Sequence, residues 1–298
     1  MTSSAVTVIS PAKINLYLEV GGVRPDGYHD LVTVFQALEI HDTLTIEPAS
    51  KLTVECSCDL GIPAVDNLVF RAASALAQTL GREAAVSIHI EKAIPSGAGL
   101  GGGSSNAAAT LAGLAGMWGV DQRDPLLLEV ARSLGADVPF FLFGGTALFR
   151  GRGDEFVESY PTPDLAIALI KPAEPVSTAA AYNAIDRSGP LAPGDPELMG
   201  AACASDDPGS VVRALRNDFL SPSSGLVPGI ADALAWVAER EGVLGVGLAG
   251  SGSATFAVCT DVGAAAAVAD VGRRQGWWAA ATRTSAKGVH MTGSRGHQ

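Results

Sequence analysis

The segment Pro95-Ser-Gly-Ala-Gly-Leu-Gly-Gly-Gly-Ser-Ser105 places five glycines ahead of two serines. Glycine lets the main chain approach a ligand closely and take conformations that a Cβ forbids. Ser104, Ser105 and Asn106 then open a helix, and the free N–H groups and dipole of a helix start favour an anion. A strand over residues 85–90, the loop Pro95, Ser96, Gly97, Ala98, Gly99, Leu100, Gly101, Gly102 and Gly103, and the helix behind it together make a phosphate cradle. Two other nucleotide signatures compete with this reading. The pattern G-x-x-x-x-G-K-[ST] is absent, because no lysine lies between Lys92 and Asp121. The dinucleotide pattern G-x-G-x-x-G does match at Gly97, Gly99 and Gly102, with Asp121 about twenty residues on. Its glycines should follow the strand directly, whereas here Lys92-Ala-Ile-Pro95 intervenes.

Transfer of a phosphoryl group from such a cradle needs a positioned hydroxyl, a base or orienting carboxylate, and charge neutralisation. Asp137 is the best base candidate. It sits in Gly135-Ala-Asp-Val-Pro-Phe-Phe141, where a carboxylate without a partner or a purpose is costly. The competing role is a cap or turn after a helix. Lys13 lies in the otherwise apolar strand 12–18; pairing would offset its burial and keep Asp137 ionised, unless it snorkels to the surface. Asn15, two residues on, shares the strand face and could bond a substrate or be a satisfied buried amide. Tyr28 and His29 follow the turn Arg24-Pro-Asp-Gly27 and offer stacking and hydrogen bonding, although such residues also serve as packing. Gly250-Ser-Gly-Ser253 is a second flexible turn, able to approach phosphates or simply to join two strands.

The elements that must position these residues can be read along the chain. Strands are expected over 7–9, 14–20, 31–38, 43–46, 85–90, 165–170, 246–249, 254–259 and 277–282. Helices are expected over 67–80, 104–118, 124–133, 211–215, 230–241 and 262–275. The apolar segment 136–149 reads as strands bent at Gly144-Gly145, and 188–210, rich in Pro, Gly, Asp and Ser, as a long exposed loop. Tyr160-Pro-Thr-Pro163 marks a domain junction, dividing the chain into residues 1–160 and 161–298. The mixture implies an α+β protein of two domains.

Composition narrows the function classes. Of 298 residues, 47% are hydrophobic and 17% charged, which excludes a disordered chain. A formal charge of −11 argues against nucleic acid as a partner. The start Met1-Thr-Ser-Ser-Ala-Val6 lacks signal-peptide character. In the charge-free stretch after Lys92, only residues 107–120 form an apolar helix, too short to span a bilayer. A cytoplasmic protein without a membrane partner is expected. Cys56, Cys58, Cys203 and Cys259 lack zinc-ligand spacing and read as free thiols of a reducing compartment.

The glycine segment resembles the second motif of the GHMP small-molecule kinases. Pro11-Ala-Lys-Ile-Asn-Leu16 is similar to their first motif and Leu248-Ala-Gly-Ser-Gly-Ser-Ala254 to their third. Arg24-Pro-Asp-Gly-Tyr-His-Asp30, Leu134-Gly-Ala-Asp-Val-Pro-Phe140 and Asn217-Asp218-Phe219 narrow the resemblance to one branch of that family. It implies an N-terminal domain like ribosomal protein S5 domain 2, a ferredoxin-like C-terminal domain and an active site in the cleft between them. It also implies ATP-dependent phosphorylation of the 2-hydroxyl of 4-diphosphocytidyl-2-C-methyl-D-erythritol, in the non-mevalonate isoprenoid pathway. Asp137 would then be the base and Lys13 its charge partner. His29 would read the polar edge of the cytosine and Tyr28 would stack on its ring. Asn15, the hydroxyl of Thr178 and the turn Gly250, Ser251 and Gly252 would contact substrate. Mg2+ should accompany ATP. Its ligands stay unassigned, with Ser105 a possible hydroxyl contributor, and the protein would act as a monomer or homodimer.

Overall fold

The computed structural model describes residues 5–292 apart from Leu60, Arg123, Pro190 and Asp206. Residues 1–4, part of the start that lacks signal-peptide character, and positions 190 and 206 of the expected loop lie outside the described residues.

The amino-terminal half supplies β1 (Val6–Val23), β2 (His29–Pro48), β3 (Thr53–Cys56), α1 (Leu68–Thr79), β4 (Val86–Glu91), α2 (Gly102–Trp118), α3 (Pro125–Leu134), α4 (Val138–Phe143), β5 (Thr146–Arg150) and β6 (Glu155–Tyr160). There follow β7 (Ala166–Lys171), α5 (Thr178–Ser188), α6 (Pro196–Ala204), α7 (Pro208–Ala214), β8 (Arg216–Asn217), α8 (Leu220–Leu226) and α9 (Pro228–Ala238). The chain ends with β9 (Val243–Leu248), β10 (Thr255–Cys259), α10 (Val262–Arg274), β11 (Trp278–Arg283) and β12 (His290–Met291).

Two sheets organise these elements. In the larger one the order is β12-β1-β2-β4-β3, with β5 joined to β2 and β6, and β8 joined to β1. One side of this sheet carries α1 to α4, in a core that includes Val8, Phe35, Leu44, Ile46, Leu76, Leu111 and Phe140. Helix α2 is the centre of that layer. It is buried along residues 105–115, with alanines allowing close approach, as expected of a helix apolar on all sides. The second sheet has the antiparallel order β11-β7-β10-β9. One of its faces packs on α9 and α10 through Ala168, Ile170, Val237, Ala257 and Val268. Ile167, Leu169, Phe256 and Val258 point the other way and meet Ile14, Leu16 and Val34 of the first sheet. The two sheets are therefore joined by a shared core.

Four sequence expectations need correction. The strands expected at 7–9 and 14–20 are one strand, as are those at 31–38 and 43–46. Register irregularities between Pro11 and Lys13 and between Asn15 and Tyr17 mask the continuity, since bulges bend a strand and interrupt its alternation. The apolar stretch before Gly144 is the helix α4 rather than a strand; a short apolar run does not reveal its period. Helix α2 begins at Gly102, two residues before Ser104, because left-handed Gly101 takes the N-cap position. The expected loop 188–210 contains α6 and the start of α7, capped by Asp195 and Asp207 with Pro at the first turn, which is an ordinary helix-start signal.

The other caps follow the same chemistry. Asp124 caps α3 by accepting the Leu126 N–H at 3.0 Å. Asp124→Ala is expected to lower stability by about 1 kcal/mol, read as a lower urea midpoint with an unchanged slope.

Candidate active site

The glycine loop separates two cavities. One, of about 360 Å³, is lined by Ile62, Asn67, Leu68, Lys92, the loop residues 95–103, Ser104 and Asn106. The other, of about 260 Å³, is lined by Lys13, Asn15, Thr33, Phe35, Asp137, Thr178, Tyr182, Phe219, Gly250 and Ser251. Gly99 and Gly101 face both. The N–H groups of the first turn of α2 lack intrahelical partners, and they head the first cavity.

The loop is pinned rather than free. Leu100 O accepts the Lys13 N–H at 3.0 Å, and Ala98 O accepts that of Ala254 at 3.0 Å. Gly99 (φ +76°) lies so close to the turn after β9 that a Cβ would meet Ala249 O at 1.9 Å. Only glycine allows that approach, so the two turns form one surface.

Lys13 is 3% exposed. Its Nζ lies 3.3 Å from Asp137 Oδ2 and donates to Asn15 Oδ1 at 2.9 Å, with the Phe35 ring 5.3 Å away. The register irregularities on either side of Lys13 and Asn15 aim both at one point. Asp137 precedes α4, yet its side chain makes no cap hydrogen bond and turns to Lys13 instead. Its side chain is 34% exposed, so it faces the cavity with a partner behind it. Asn15 is held at both ends of its amide: Oδ1 also accepts the Gly250 N–H at 3.0 Å, and Nδ2 donates to Thr33 at 2.8 Å.

The remaining expected residues fall into two groups. Thr178 and Ser251 share a hydroxyl contact of 3.0 Å at the cleft wall, beside Gly250. His29 donates from Nε2 to Asp186 at 2.8 Å and stacks on Tyr182, with ring centroids 4.8 Å apart. It lines an adjoining groove with Val20, Gly22, Ile185 and Leu191. Three residues stand outside these walls. Tyr28 is exposed, with the Arg152 guanidinium 5.2 Å from its ring centroid. Gly252 is packed behind its turn, near Ile230 and Leu248. Ser105 is completely buried and accepts a hydrogen bond from Ser10 at 2.8 Å, so its hydroxyl is absent from the cavity wall. Among the described residues no group of three or more His, Cys, Asp and Glu is arranged to hold a metal ion.

Several site residues escaped the sequence. Asn217 Nδ2 donates to Leu248 O at 2.8 Å and Gly250 O at 2.9 Å, holding the turn that Asn15 receives. Phe219 packs edge-on against Tyr182 at 4.8 Å. The triplet Asn217-Asp218-Phe219 was visible as a motif, but nothing local indicated that it braces the turn. Lys92 and Asp42 form a buried ion pair, and Asp42 also accepts the N–H groups of Ala93 and Ile94 at 2.8 and 2.9 Å. This anchors the entry to the glycine loop.

Burial pushes the Tyr182 hydroxyl up to about 12, with the Asp137 carboxylate adding to it. The unfolded value is lower, so the folded state holds this proton more tightly. That stability is fully present below the unfolded value of about 10 and is lost as pH rises through about 12. Tyr182→Phe should therefore flatten the alkaline part of the stability profile while leaving its neutral part nearly unchanged, measured by denaturation from pH 7 to 12.

Comparison with known proteins identifies the family. Residues 67–145 match the model for the GHMP kinases N terminal domain, and residues 199–276 that for GHMP kinases C terminal. A 4-diphosphocytidyl-2-C-methyl-D-erythritol kinase of Pelotomaculum thermopropionicum is 40% identical over 283 residues, covering 94% of this chain and 98% of its own. One of Nocardia farcinica is 42% identical over 280 residues, covering 89% of each. Among solved structures, a 4-(cytidine 5'-diphospho)-2C-methyl-D-erythritol kinase superposes with a TM-score of 0.79 at 34% identity, covering 94% of this chain and 99% of that one. A homoserine kinase from Cytophaga hutchinsonii, at 20% identity and a TM-score of 0.75, shares the fold. No helix among the described residues is long and apolar enough to cross a membrane. With two α+β halves, a glycine loop at a helix start and relatives alike over nearly their whole length, the chain is an ATP-dependent small-molecule kinase and belongs to the 4-diphosphocytidyl-2-C-methyl-D-erythritol kinase family of the GHMP kinases.

Proposed function

We propose that this kinase transfers the γ-phosphoryl group of ATP to the 2-hydroxyl of 4-diphosphocytidyl-2-C-methyl-D-erythritol, a step of non-mevalonate isoprenoid synthesis. The observation that carries this reading is the Lys13–Asp137 pair, set 3.3 Å apart beside the glycines that face both cavities. ATP occupies the larger cavity, with its base among Ile62, Asn67, Leu68 and Pro95 and its phosphates along the loop to the α2 start. The acceptor alcohol lies in the smaller cleft, next to Asp137. Asp137 takes the hydroxyl proton as the oxygen attacks the γ-phosphorus, the bond to the β-phosphate oxygen breaks, and ADP leaves. Lys13, 3.3 Å from Asp137, orients that carboxylate and offsets negative charge at the transferring group. Asn15 and Asn217 fix Lys13 and the Gly250 turn. When bound with ATP, Mg2+ would supply charge screening of the phosphates. No acidic cluster among the described residues offers it a cage, so the phosphates would supply most of its ligands.

The cytidine end belongs in the groove beside His29. With its Nε2–H committed to Asp186, the uncharged form of the His29 ring would have Nδ1 left as an acceptor, the complement of an exocyclic amino group. Tyr28, exposed and backed by Arg152, covers the ring. Removing such a stacking partner costs about 1–3 kcal/mol. Tyr28→Ala should accordingly raise KM for the cytidyl substrate about tenfold, with KM for ATP unchanged.

The deciding experiment is phosphoryl transfer from labelled ATP, with the product identified by mass. The cytidyl alcohol should be phosphorylated, and homoserine and mevalonate should not. Preference for either rival would move the chain to another GHMP specificity. Nucleotide binding without transfer to any of the three would favour a catalytically silent regulator.

A further inference from the structure

Cys56 ends β3 and Cys58 lies in the bend after it, with their sulfurs 3.8 Å apart. Cys58 is exposed and Cys56 half-buried, whereas Cys203 and Cys259 are buried elsewhere. Ser57, between the two thiols, donates its N–H to Ile90 O at 2.9 Å. Its hydroxyl accepts the Lys92 N–H at 3.0 Å. Lys92 lines the larger cavity, is paired to Asp42 and lies 3.3 Å from Asn106 Oδ1. Asp42 in turn holds the N–H groups of Ala93 and Ile94, just ahead of the glycine loop. One hydrogen bond therefore links the residue between the thiols to the wall of the nucleotide cavity.

We propose that Cys56 and Cys58 are an oxidative modification site, converted to an intramolecular disulfide by a small-molecule disulfide such as oxidised glutathione, and that this conversion weakens ATP binding by pulling Ser57 away from Lys92. One thiol loses its proton and attacks a sulfur of the oxidant, releasing one equivalent of reduced thiol. The second thiol loses its proton and displaces the other half of the oxidant from the mixed disulfide. Two protein thiols are oxidised and one oxidant disulfide is reduced to two thiols.

The geometry constrains the product. Even fully extended, alternate residues are about 6.6 Å apart, and with Ser57 and Cys58 in a bend the pair lies within the Cα spacing that disulfides tolerate. The sulfurs must close from 3.8 Å to about 2.05 Å. Ser57 lies inside the ring so formed, so its backbone bends and its hydroxyl leaves the Lys92 N–H. Burial, with the Cys56 hydrogen bond adding, keeps the Cys58 thiol above its ordinary value. Little of it is thiolate at neutral pH, so the reaction is slow and calls for long incubation.

The test uses the full chain incubated with oxidised glutathione, then digested for peptide mass analysis, and titrated with a non-hydrolysable ATP analogue. The peptide containing both cysteines should lose the mass of two hydrogen atoms. Affinity for the analogue should fall about fivefold, the worth of one lost hydrogen bond, and recover with dithiothreitol. Reduced Ser57→Ala should show the same loss, and Cys58→Ser should be insensitive to the oxidant. Absence of the internal disulfide overturns the modification site. A disulfide that leaves analogue affinity unchanged overturns the link to the nucleotide.

Discussion

Asp137→Asn is expected to lower kcat by a factor of roughly 10² or more, the usual worth of a positioned general base, while ATP affinity stays unchanged. Asparagine keeps the size of the side chain and an oxygen that can face Lys13, but it accepts no proton. Lys13→Met should cost a similar factor by a different route. It leaves Asp137 without its cation 3.3 Å away and removes positive charge from the transferring group. The gross attraction across that distance is about 5 kcal/mol at an effective dielectric of 20. Much of it is consumed in desolvating an ammonium that is 3% exposed. On the proposed mechanism, holding the fold together is therefore a minor role for the pair, and poising the reaction is its main one. Steady-state kinetics on both variants, with calorimetric titration of an ATP analogue, separates chemistry from binding. Wild-type turnover in Asp137→Asn would remove that carboxylate from proton transfer.

Gly99→Ala should lower stability sharply. The new Cβ would lie 1.9 Å from Ala249 O and 2.8 Å from Ala249 C, both backbone atoms, at a φ of +76°. Neither atom can rotate aside. Strain and overpacking together should cost on the order of 3 kcal/mol or more, or push the Gly250 turn off the loop and abolish activity. Gly97→Ala is the control. Its φ is +63° with nothing within 4 Å, so only the left-handed penalty of about 1–2 kcal/mol applies. Urea denaturation of both variants measures the difference. Equal costs would contradict the close docking of loop on turn.

The parts of the site legible in the sequence were those where a residue type conflicts with its surroundings. A lysine in an apolar strand, a carboxylate in an apolar run and five glycines before a helix each announce a purpose locally. Asn217 gave no such signal. Its role depends on carbonyls more than thirty residues away, brought near by the pairing of β8 with β1. Tyr182 was equally silent, because an aromatic on a helix reads as ordinary packing until His29 is found stacked on it. The fold was legible wherever periodicity was long, as in α1, α3 and α10. It failed at α4, where six apolar residues fit either period, and at α6, where the Asp-Pro start was outweighed by loop-like composition. Bulges hid the length of β1 and β2, yet those same irregularities aim Lys13 and Asn15.

The course of β1 also limits how the protein can be divided. Near its beginning, Val8 and Ile9 pair with Met291 and His290; farther along, Tyr17 and Leu18 pair with Arg216 and Asn217. A fragment cut at residue 160 would thus bare stretches of its own founding strand, open to aggregation. Proteolytic trimming ahead of His290 should likewise strip one edge of the first strand of its partner, leaving Val8 and Ile9 paired on the β2 side alone.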